Sequence, residues 1–318
     1  MKAIQLVAPG KPQIVEVAVP GIGDNEVLVK VESCVTCPHW DMTLFKGVDI
    51  FNRPGYPKYP IPWGYPGHEM AGVVVKAGRG VKALREGDRV ATLETAGEDK
   101  PGFYCEYINR PENKVVKIPD AVSFDAAASM EMARSVSPNA RRLGDVRGRR
   151  VGVVGMGPAG LIAVQMVRAM GAAEIVAMDV QADRLALAAR AGATETLNPA
   201  DPGDLAKLQR KRLKACMDCS GHASGLQVAL DHTDGMVSVF GVIHGEAKLT
   251  TSHWLSGLSL VTALPMTDED TQLVIRLWEE QKLDTGMLVG ARLPFERYAE
   301  AVQLLMDRKA LKVSLYPG

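Results

Sequence analysis

The 318-residue sequence has no net charge, because 37 lysines and arginines balance 37 aspartates and glutamates. A chain without net charge has no overall field to draw it toward nucleic acid or an anionic membrane. The densest basic stretch, residues 141–150, is typical of a solvated helix face and turn. We therefore expect no nucleic acid and no membrane among its partners.

Long apolar runs are also scarce. The N-terminal MKAIQLVAPGKP has no apolar core of the kind found in a secretory signal peptide. The most apolar stretch, residues 151–167, is interrupted by four glycines and a proline, which argues against a membrane span. The five cysteines are an odd number in a large chain and do not indicate a disulfide framework. These features predict a cytoplasmic protein with reduced thiols.

The pattern of the chain changes after Pro119. Before it, β-branched residues, glycine and proline are frequent, and EVLVKVES, MAGVVVKAG and DRVATLE predict strands. After it, helical patterns alternate with short apolar runs such as RVGVVGMG, EIVAMDV and ACMDCSG, which predicts parallel crossovers and a doubly wound sheet. The predicted fold class is α/β, with a β-rich domain at 1–132, a Rossmann domain at 133–266 and a C-terminal segment at 267–318.

A glycine-rich motif, GMGPAG at 155–160, stands between a predicted strand and a predicted helix. That context gives the G-x-G-x-x-G pattern its meaning as a dinucleotide site. Gly155 permits a tight turn, Gly157 lets the backbone approach a pyrophosphate, and Gly160 lets helix and strand pack closely. The predicted cofactor-binding residues of this turn are Gly155, Gly157, Pro158, Ala159 and Gly160.

An acid at the end of the next predicted strand is the second mark of such a site. EIVAMDV supplies Asp179, at about the expected distance from the glycines. A carboxylate there accepts hydrogen bonds from ribose hydroxyls and repels a 2′-phosphate, so NAD is favoured and NADP is less expected. Arg184, in the following helix, is placed either along the adenosine or in a surface ion pair.

The cysteines raise a separate question, because two Cys-x-x-Cys pairs occur. Cys216 and Cys219 lie in a predicted core strand, which argues against a four-cysteine zinc and indicates structural residues. Cys34 lies in or just after a strand, which argues against a redox pair at a helix start. Cys37 instead has a partner in His68 of GHEMAG, and this is the ligand pair that a catalytic zinc prefers.

EVLVKVESCVTCPHWD, GHEMAGVVVKAGRGV, EGDRV and GMGPAGL, in this order, resemble the zinc-dependent medium-chain dehydrogenases, the alcohol and polyol dehydrogenases. The resemblance covers nearly the whole chain. It implies a GroES-like catalytic domain to which the C-terminal segment returns, one catalytic zinc, and hydride transfer between NAD(P) and a small alcohol or carbonyl substrate. It also implies a homodimer or homotetramer.

Matched position by position, the resemblance implies that Cys37 is the first zinc ligand and His68 the second. Glu69 matches the neighbouring acid, which in the family approaches or binds the metal. Glu131 falls where the third ligand is expected, and an acid there is typical of the polyol and secondary-alcohol branches. The choice between Glu69 and Glu131 stays open, and an exposed helix acid is the alternative for Glu131.

One departure from the family lies between the first ligand and a nearby acid. The usual Cys-x-x-Asp spacing is here one residue longer, CPHWD. We expect Asp41 still to orient His68 through its far ring nitrogen. The insertion leaves open whether His39 or Trp40 faces the position of the family's proton relay. His39 is favoured because the pKa of histidine lies near neutrality.

A second departure removes the four-cysteine lobe that holds a structural zinc in many members. Residues 92–105 contain a single cysteine, so we expect no structural zinc.

The predicted function is NAD-dependent oxidation of a secondary alcohol or polyol, or the reverse. Two alternatives remain: a zinc-free quinone or enone reductase, which needs no Cys–His pair, and a nucleotide-binding protein without turnover.

Overall fold

The structure is a computed structural model that describes residues 1–49, 53–93, 100–262 and 265–318. The chain divides into two compact units. The first unit comprises Met1–Met132 and Thr285–Gly318, and the second comprises Ala133–Asp284.

The N-terminal part of the first unit is mostly β-structure. Its strands are β1 (Lys2–Ala8), β2 (Lys11–Glu16), β3 (Glu26–Val35), β4 (Met70–Ala77), β5 (Arg89–Thr92), β6 (Tyr107–Pro111) and β7 (Val115–Lys117). Its helices are α1 (Pro38–Phe45), α2 (Phe124–Ala128) and the start of α3 (Met130–Arg142). Val27, Val29 and Val31 alternate inward along β3 while Lys30 faces out, the two-residue period of a strand with one buried face.

The second unit alternates strands with helices. Its strands are β8 (Arg150–Val154), β9 (Glu174–Met178), β10 (Glu195–Leu197), β11 (Leu213–Asp218), β12 (Thr233–Val239) and β13 (Ser259–Val261). The helices are α4 (Pro158–Ala169), α5 (Ala182–Ala191), α6 (Pro202–Arg210), α7 (Ala223–His232), α8 (Thr251–Leu255) and α9 (Asp268–Glu279). All five strand pairings are parallel, in the order β10-β9-β8-β11-β12-β13. This is the doubly wound Rossmann order, whose direction reverses between β8 and β11.

The C-terminal part completes the first unit. It consists of β14 (Val289–Pro294), α10 (Tyr298–Met306) and β15 (Lys312–Tyr316). β15 pairs with β3, so the sheet runs β14-β15-β3-β4-β5-β7, and β6 pairs with β3 as well. The predicted α/β class, with a β-rich part and a doubly wound Rossmann part, is confirmed. The return of the last strand places C-terminal residues in the same sheet as β3 and β4.

Segment 267–284 lies with the second unit, whereas the sequence places the last domain boundary near Thr267. The reason is the packing of α9 on α3. Asp270 accepts hydrogen bonds from Ser137 Oγ at 2.7 Å and from Arg141 Nη1 at 3.1 Å. These contacts join α9 to the second unit, which ends at Asp284.

Candidate functional site

A buried cluster of three possible metal ligands, Cys37, His68 and Glu69, lies where two neighbouring strands meet. Cys37 follows β3 and occupies the N-cap of α1, while His68 and Glu69 directly precede β4. β3 and β4 are antiparallel, with Cys34 opposite Met70, and the Val35 amide donates to the Glu69 carbonyl at 2.9 Å. The end of one strand is therefore fixed beside the start of the next.

The side chains of this cluster converge. One ligand atom from each of Cys37, His68 and Glu69 lies within 4.8 Å of the other two, and this is the one such group among the described residues. His68 Nδ1 lies 2.8 Å from the Pro66 carbonyl oxygen. Because a carbonyl only accepts, Nδ1 carries the hydrogen, and Nε2 is left with its lone pair as the ligand atom.

The electrostatics of the cluster favour a positive charge at its centre. Burial alone would lower the pKa of His68, but the Cys37 sulfur and the carboxylates of Glu131 and Glu69 raise it to about 10. The same three negative neighbours that favour a proton on His68 Nε2 would also attract a metal cation.

A buried lysine balances part of the negative charge. Lys312 Nζ lies 2.6 Å from Glu69 Oε1 and donates to the Thr36 carbonyl at 3.1 Å, and neither the Lys312 nor the Glu69 side chain is exposed. Burial would lower the pKa of Lys312, but Glu69 and the Cys37 sulfur raise it, so the ammonium stays charged. The sequence marks this residue only weakly, as a lysine at the start of the final strand.

The residues present fit a zinc ion. Among the residues that the structure describes, the buried Glu69 Oε2 finds no hydrogen-bond partner, although a buried carboxylate oxygen without a partner is costly. A thiolate, an imidazole and a carboxylate are together the donor set that zinc prefers. A cation held by Cys37, His68 and Glu69 would bring this donor set together and offset the charge of a carboxylate that has one oxygen unpartnered.

Glu131 lies beside this cluster but outside the three-residue group. It is only 6 % exposed, so the alternative of an exposed helix acid is wrong. Its negative charge acts on His68, Glu69 and Lys312, which places it close to all three. Glu131 therefore remains a candidate for the third ligand.

The role predicted for Asp41 is wrong. The expected contact with the far nitrogen of His68 is taken by the Pro66 carbonyl. Asp41 instead accepts hydrogen bonds from the Cys37 amide at 2.7 Å and from the hydroxyls of Tyr104 and Tyr298. A helix begins at Pro38, and its first turn brings the Asp41 carboxylate back to the Cys37 amide.

The two candidates for the relay position lie in the first turn of α1. The Trp40 ring packs edge to face against the His68 ring, with 6.3 Å between centroids, and against Tyr65 at 6.1 Å. Trp40 thus forms an apolar wall beside His68. His39 is half-buried, and its carbonyl accepts from Thr43 Oγ1 at 2.7 Å. Its part as the proton relay stays a prediction.

The dinucleotide motif forms a turn between β8 and α4. Gly155 has φ +86°, and a Cβ on it would lie 2.6 Å from the Ser220 Cα. A Cβ on Gly160 would lie 1.8 Å from the Gly155 carbonyl oxygen, whereas a Cβ on Gly157 would meet nothing within 4 Å. Pro158 and Ala159 form the first turn of α4, with Pro158 at its first position. The turn thus leaves open space at Gly157 next to a helix N-terminus, as a pyrophosphate requires.

Asp179 directly follows β9 and connects two loops of this edge. Its carboxylate accepts from the Met156 amide at 2.7 Å and from the Gln181 amide at 2.9 Å. The side chain is partly exposed beside the glycine turn, where a ribose would lie in a Rossmann site. Arg184 lies half-buried in the first turn of α5.

Acidic neighbours pair with several arginines of the basic stretch at 141–150. Arg141 pairs with Glu269 and Asp270, Arg147 with Asp145, and Arg150 with Glu174 and Glu195.

Of the segment expected to lack a structural zinc, residues 94–99 lie outside the described residues. Within the described part of the chain, no helix combines the length and apolarity needed to cross a membrane.

Two protein-family models match the chain. Residues 23–120 match the alcohol dehydrogenase GroES-like domain, and residues 158–280 match zinc-binding dehydrogenase. Sorbitol dehydrogenase of Rattus norvegicus is 27 % identical and covers 96 % of this chain and 93 % of its own. Alcohol dehydrogenase of Geobacillus stearothermophilus is 35 % identical over a stretch that covers 63 % of this chain and 64 % of the relative's length. The solved structure of an NAD-dependent alcohol dehydrogenase covers 100 % of both chains with a TM-score of 0.87 at 26 % identity.

Proposed function

We propose that this chain, which belongs to the zinc-binding alcohol dehydrogenase family, oxidises a secondary alcohol or a polyol to a carbonyl with NAD, or catalyses the reverse reduction. As a member of that family it is an oxidoreductase acting on CH–OH groups. The observation that carries the proposal is the convergence of Cys37, His68 and Glu69 in a buried cluster. The full-length similarity to a sorbitol dehydrogenase and the acid at position 131 both support a polyol or secondary alcohol as substrate.

The side chains around the cluster have distinct tasks. Cys37, His68 and one acid, Glu69 or Glu131, would hold a zinc ion, which when bound supplies Lewis acidity toward the substrate oxygen, while NAD supplies the hydride acceptor. The Pro66 carbonyl keeps His68 in the tautomer that exposes Nε2. Lys312 offsets the charge of Glu69 and so reduces the repulsion among the negative groups in and beside the cluster, which are Cys37, Glu69 and Glu131. Trp40 keeps water from one side of His68, and His39 passes the substrate hydroxyl proton to solvent.

The experiment that tests the proposal compares two cysteines of the same segment. Cys37→Ser is expected to abolish zinc binding and NAD-dependent turnover of a panel of polyols and secondary alcohols, while NAD affinity is unchanged. Cys34→Ser is the matched control, because Cys34 is equally buried but belongs to β3 and to the apolar core. It should keep its zinc and its turnover.

Each alternative function predicts a different result in that comparison. Near-native turnover by Cys37→Ser, or an active preparation without zinc, would favour the zinc-free quinone or enone reductase. Wild-type protein that binds zinc and NAD but reduces no cofactor across the whole panel would favour a nucleotide-binding protein without turnover.

NAD rather than NADP is the proposed cofactor. The partly exposed Asp179 carboxylate beside the glycine turn supports this preference, since it would repel a 2′-phosphate. Asp179→Ser is expected to lower the ratio of the NADPH Kd to the NADH Kd at least tenfold, measured by fluorescence titration with each of these reduced cofactors. An unchanged ratio would contradict this assignment.

Three further properties complete the proposal. We expect one zinc per chain, and a cytoplasmic location, since all five cysteines are free thiols and four of them are buried. We also expect a homodimer or homotetramer. Its support is β13, which is the edge strand of its sheet, together with the exposed side chains near it: Leu249, Trp254, Leu255 and Leu260. These four residues are called the edge patch below.

A further inference from the structure

Asp41 is a fully buried carboxylate with an unusual set of donors. Its Oδ2 accepts from the Cys37 amide at 2.7 Å. The Tyr104 hydroxyl lies 2.9 Å from Oδ1 and 3.0 Å from Oδ2, and the Tyr298 hydroxyl lies 2.7 Å from Oδ1. Hydrogen bonds to a charged acceptor in a dry interior are among the stronger ones in proteins.

The donors come from three separate parts of the first unit. Cys37 precedes α1, Tyr104 lies between β5 and β6, and Tyr298 is the first residue of α10. The two tyrosine rings pack against each other with 5.3 Å between centroids, and Phe295 and Phe45 pack around them. Asp41 is therefore held in place from outside its own helix.

The held carboxylate in turn fixes a metal ligand. Cys37 is the N-cap of α1, with φ −101° and ψ 110°, and its side chain makes no capping hydrogen bond. A helix N-cap normally uses its own side chain to satisfy backbone amides of the first turn. Here Asp41 reaches back to the Cys37 amide, much as the carboxylate of a capping box does, and the Cys37 thiol stays available to the metal.

We propose that Tyr104 and Tyr298 are positioning residues for the zinc ligand Cys37, which they orient through Asp41. The proposal rests on the proposed function, because it concerns the metal of that site. It assigns to the C-terminal α10 a part in metal binding that the spacing of the ligands does not suggest. Outer-shell partners of metal ligands typically change metal affinity by roughly 10- to 100-fold.

The test uses Tyr104→Phe and Tyr298→Phe, which remove one hydroxyl each and keep the rings. We expect zinc transfer to a chromogenic chelator to be roughly tenfold faster for each variant than for the wild type. In cobalt-substituted protein, the thiolate-to-cobalt absorption band should shift in both variants, because the direction of the sulfur changes. NAD affinity should stay at the wild-type value.

Tyr59→Phe is the matched control. The Tyr59 hydroxyl donates to the Leu44 carbonyl of α1, so its loss perturbs the same helix without touching Asp41. The control should keep the wild-type rate of zinc transfer and the wild-type cobalt spectrum. If Tyr104→Phe and Tyr298→Phe behave like Tyr59→Phe, the positioning role is wrong.

Failure of this inference can be told apart from failure of the proposed function. Wild-type protein that binds zinc and oxidises alcohols, with both tyrosine variants unchanged, would refute the positioning role alone. Wild-type protein that binds neither zinc nor cobalt would refute the proposed function and the inference together.

Discussion

Lys312 has no exposed surface, and its ammonium group is paired with the equally buried Glu69. Two opposite charges in such a place cost much desolvation energy, which good geometry and further hydrogen bonds must offset. The 2.6 Å contact with Glu69 and the 3.1 Å contact with the Thr36 carbonyl provide both. The pair therefore holds a ligand carboxylate in place more than it adds to net stability.

Lys312→Met is expected to lower the free energy of unfolding by about 3–5 kcal/mol in chelator-treated protein, because it leaves the Glu69 charge buried without its partner. Lys30→Met is the control, since Lys30 pairs with Glu32 on the exposed side of β3. Its cost should stay below about 1 kcal/mol. Urea unfolding of both variants measures the difference, and equal losses would contradict the role given to Lys312.

Residues that are adjacent to their partners in sequence motifs could be predicted, and residues that act from a distance could not. Cys37, His68 and Glu69 stand in short motifs at a strand end and a strand start. Tyr298 reaches Asp41 across 257 positions of the sequence, and no local pattern marks it. The role predicted for Asp41 was wrong because the Pro66 carbonyl occupies His68 Nδ1, while the first turn of α1 directs Asp41 to the Cys37 amide.

At the scale of elements, the turn between β8 and α4 separates two functions of glycine. Gly160 is where a helix and a preceding carbonyl come too close for any side chain. Gly157 has φ −73°, which any residue adopts, and there is open space around it. Any steric demand at Gly157 would therefore have to come from a ligand, whereas at Gly160 it comes from the fold itself.

Substitution of these two glycines should separate stability from cofactor binding. Gly160→Ala is expected to lower the free energy of unfolding by about 1–3 kcal/mol, since its Cβ would overlap the Gly155 carbonyl. Gly157→Ala is expected to leave stability unchanged and to weaken NAD binding at least tenfold. Thermal unfolding and cofactor titration measure the two effects. A Gly157→Ala protein that binds NAD as the wild type does would contradict the pyrophosphate site.

Strands and long helices of the second unit could be predicted because their apolar residues recur in a clear pattern and turn residues mark their ends. The helix α1 could not, although Pro38 stands at its first position. Eight residues without a sustained apolar stripe give a weak helical signal, and α1 forms because its residues pack on the β-sheet unit. The boundary near Thr267 was misplaced because α9 has the amphipathic pattern of any surface helix and does not indicate which unit it joins.

At the scale of the whole molecule, the chain leaves its first unit after residue 132 and returns to it at residue 285. Residues distant in sequence thereby meet in one sheet, where β15 lies next to β3. The candidate metal site draws on both segments, with Cys37, His68 and Glu69 in the first and Lys312 in the second. Loss of the C-terminal strand should therefore remove metal binding as well as stability.

The assembly of whole chains is expected to depend on the edge patch. Trp254 is 80 % exposed in α8, which precedes the edge strand β13, and a large exposed apolar side chain of this kind is typical of an interface. Trp254→Lys is expected to shift the oligomer to monomers in sedimentation velocity. Val180→Lys is the control, because Val180 is also exposed but follows β9, away from β13 in the sheet. A Trp254→Lys protein that sediments like Val180→Lys would exclude the edge patch as the interface.

The most direct measurement is an anomalous difference map at the zinc absorption edge, from crystals of the wild-type protein grown with NAD. The account predicts one strong peak within about 2.0–2.3 Å of the Cys37 sulfur, His68 Nε2 and a carboxylate oxygen of Glu69 or Glu131. A map with no peak between these side chains, from protein that oxidises alcohols at full rate, would contradict the account.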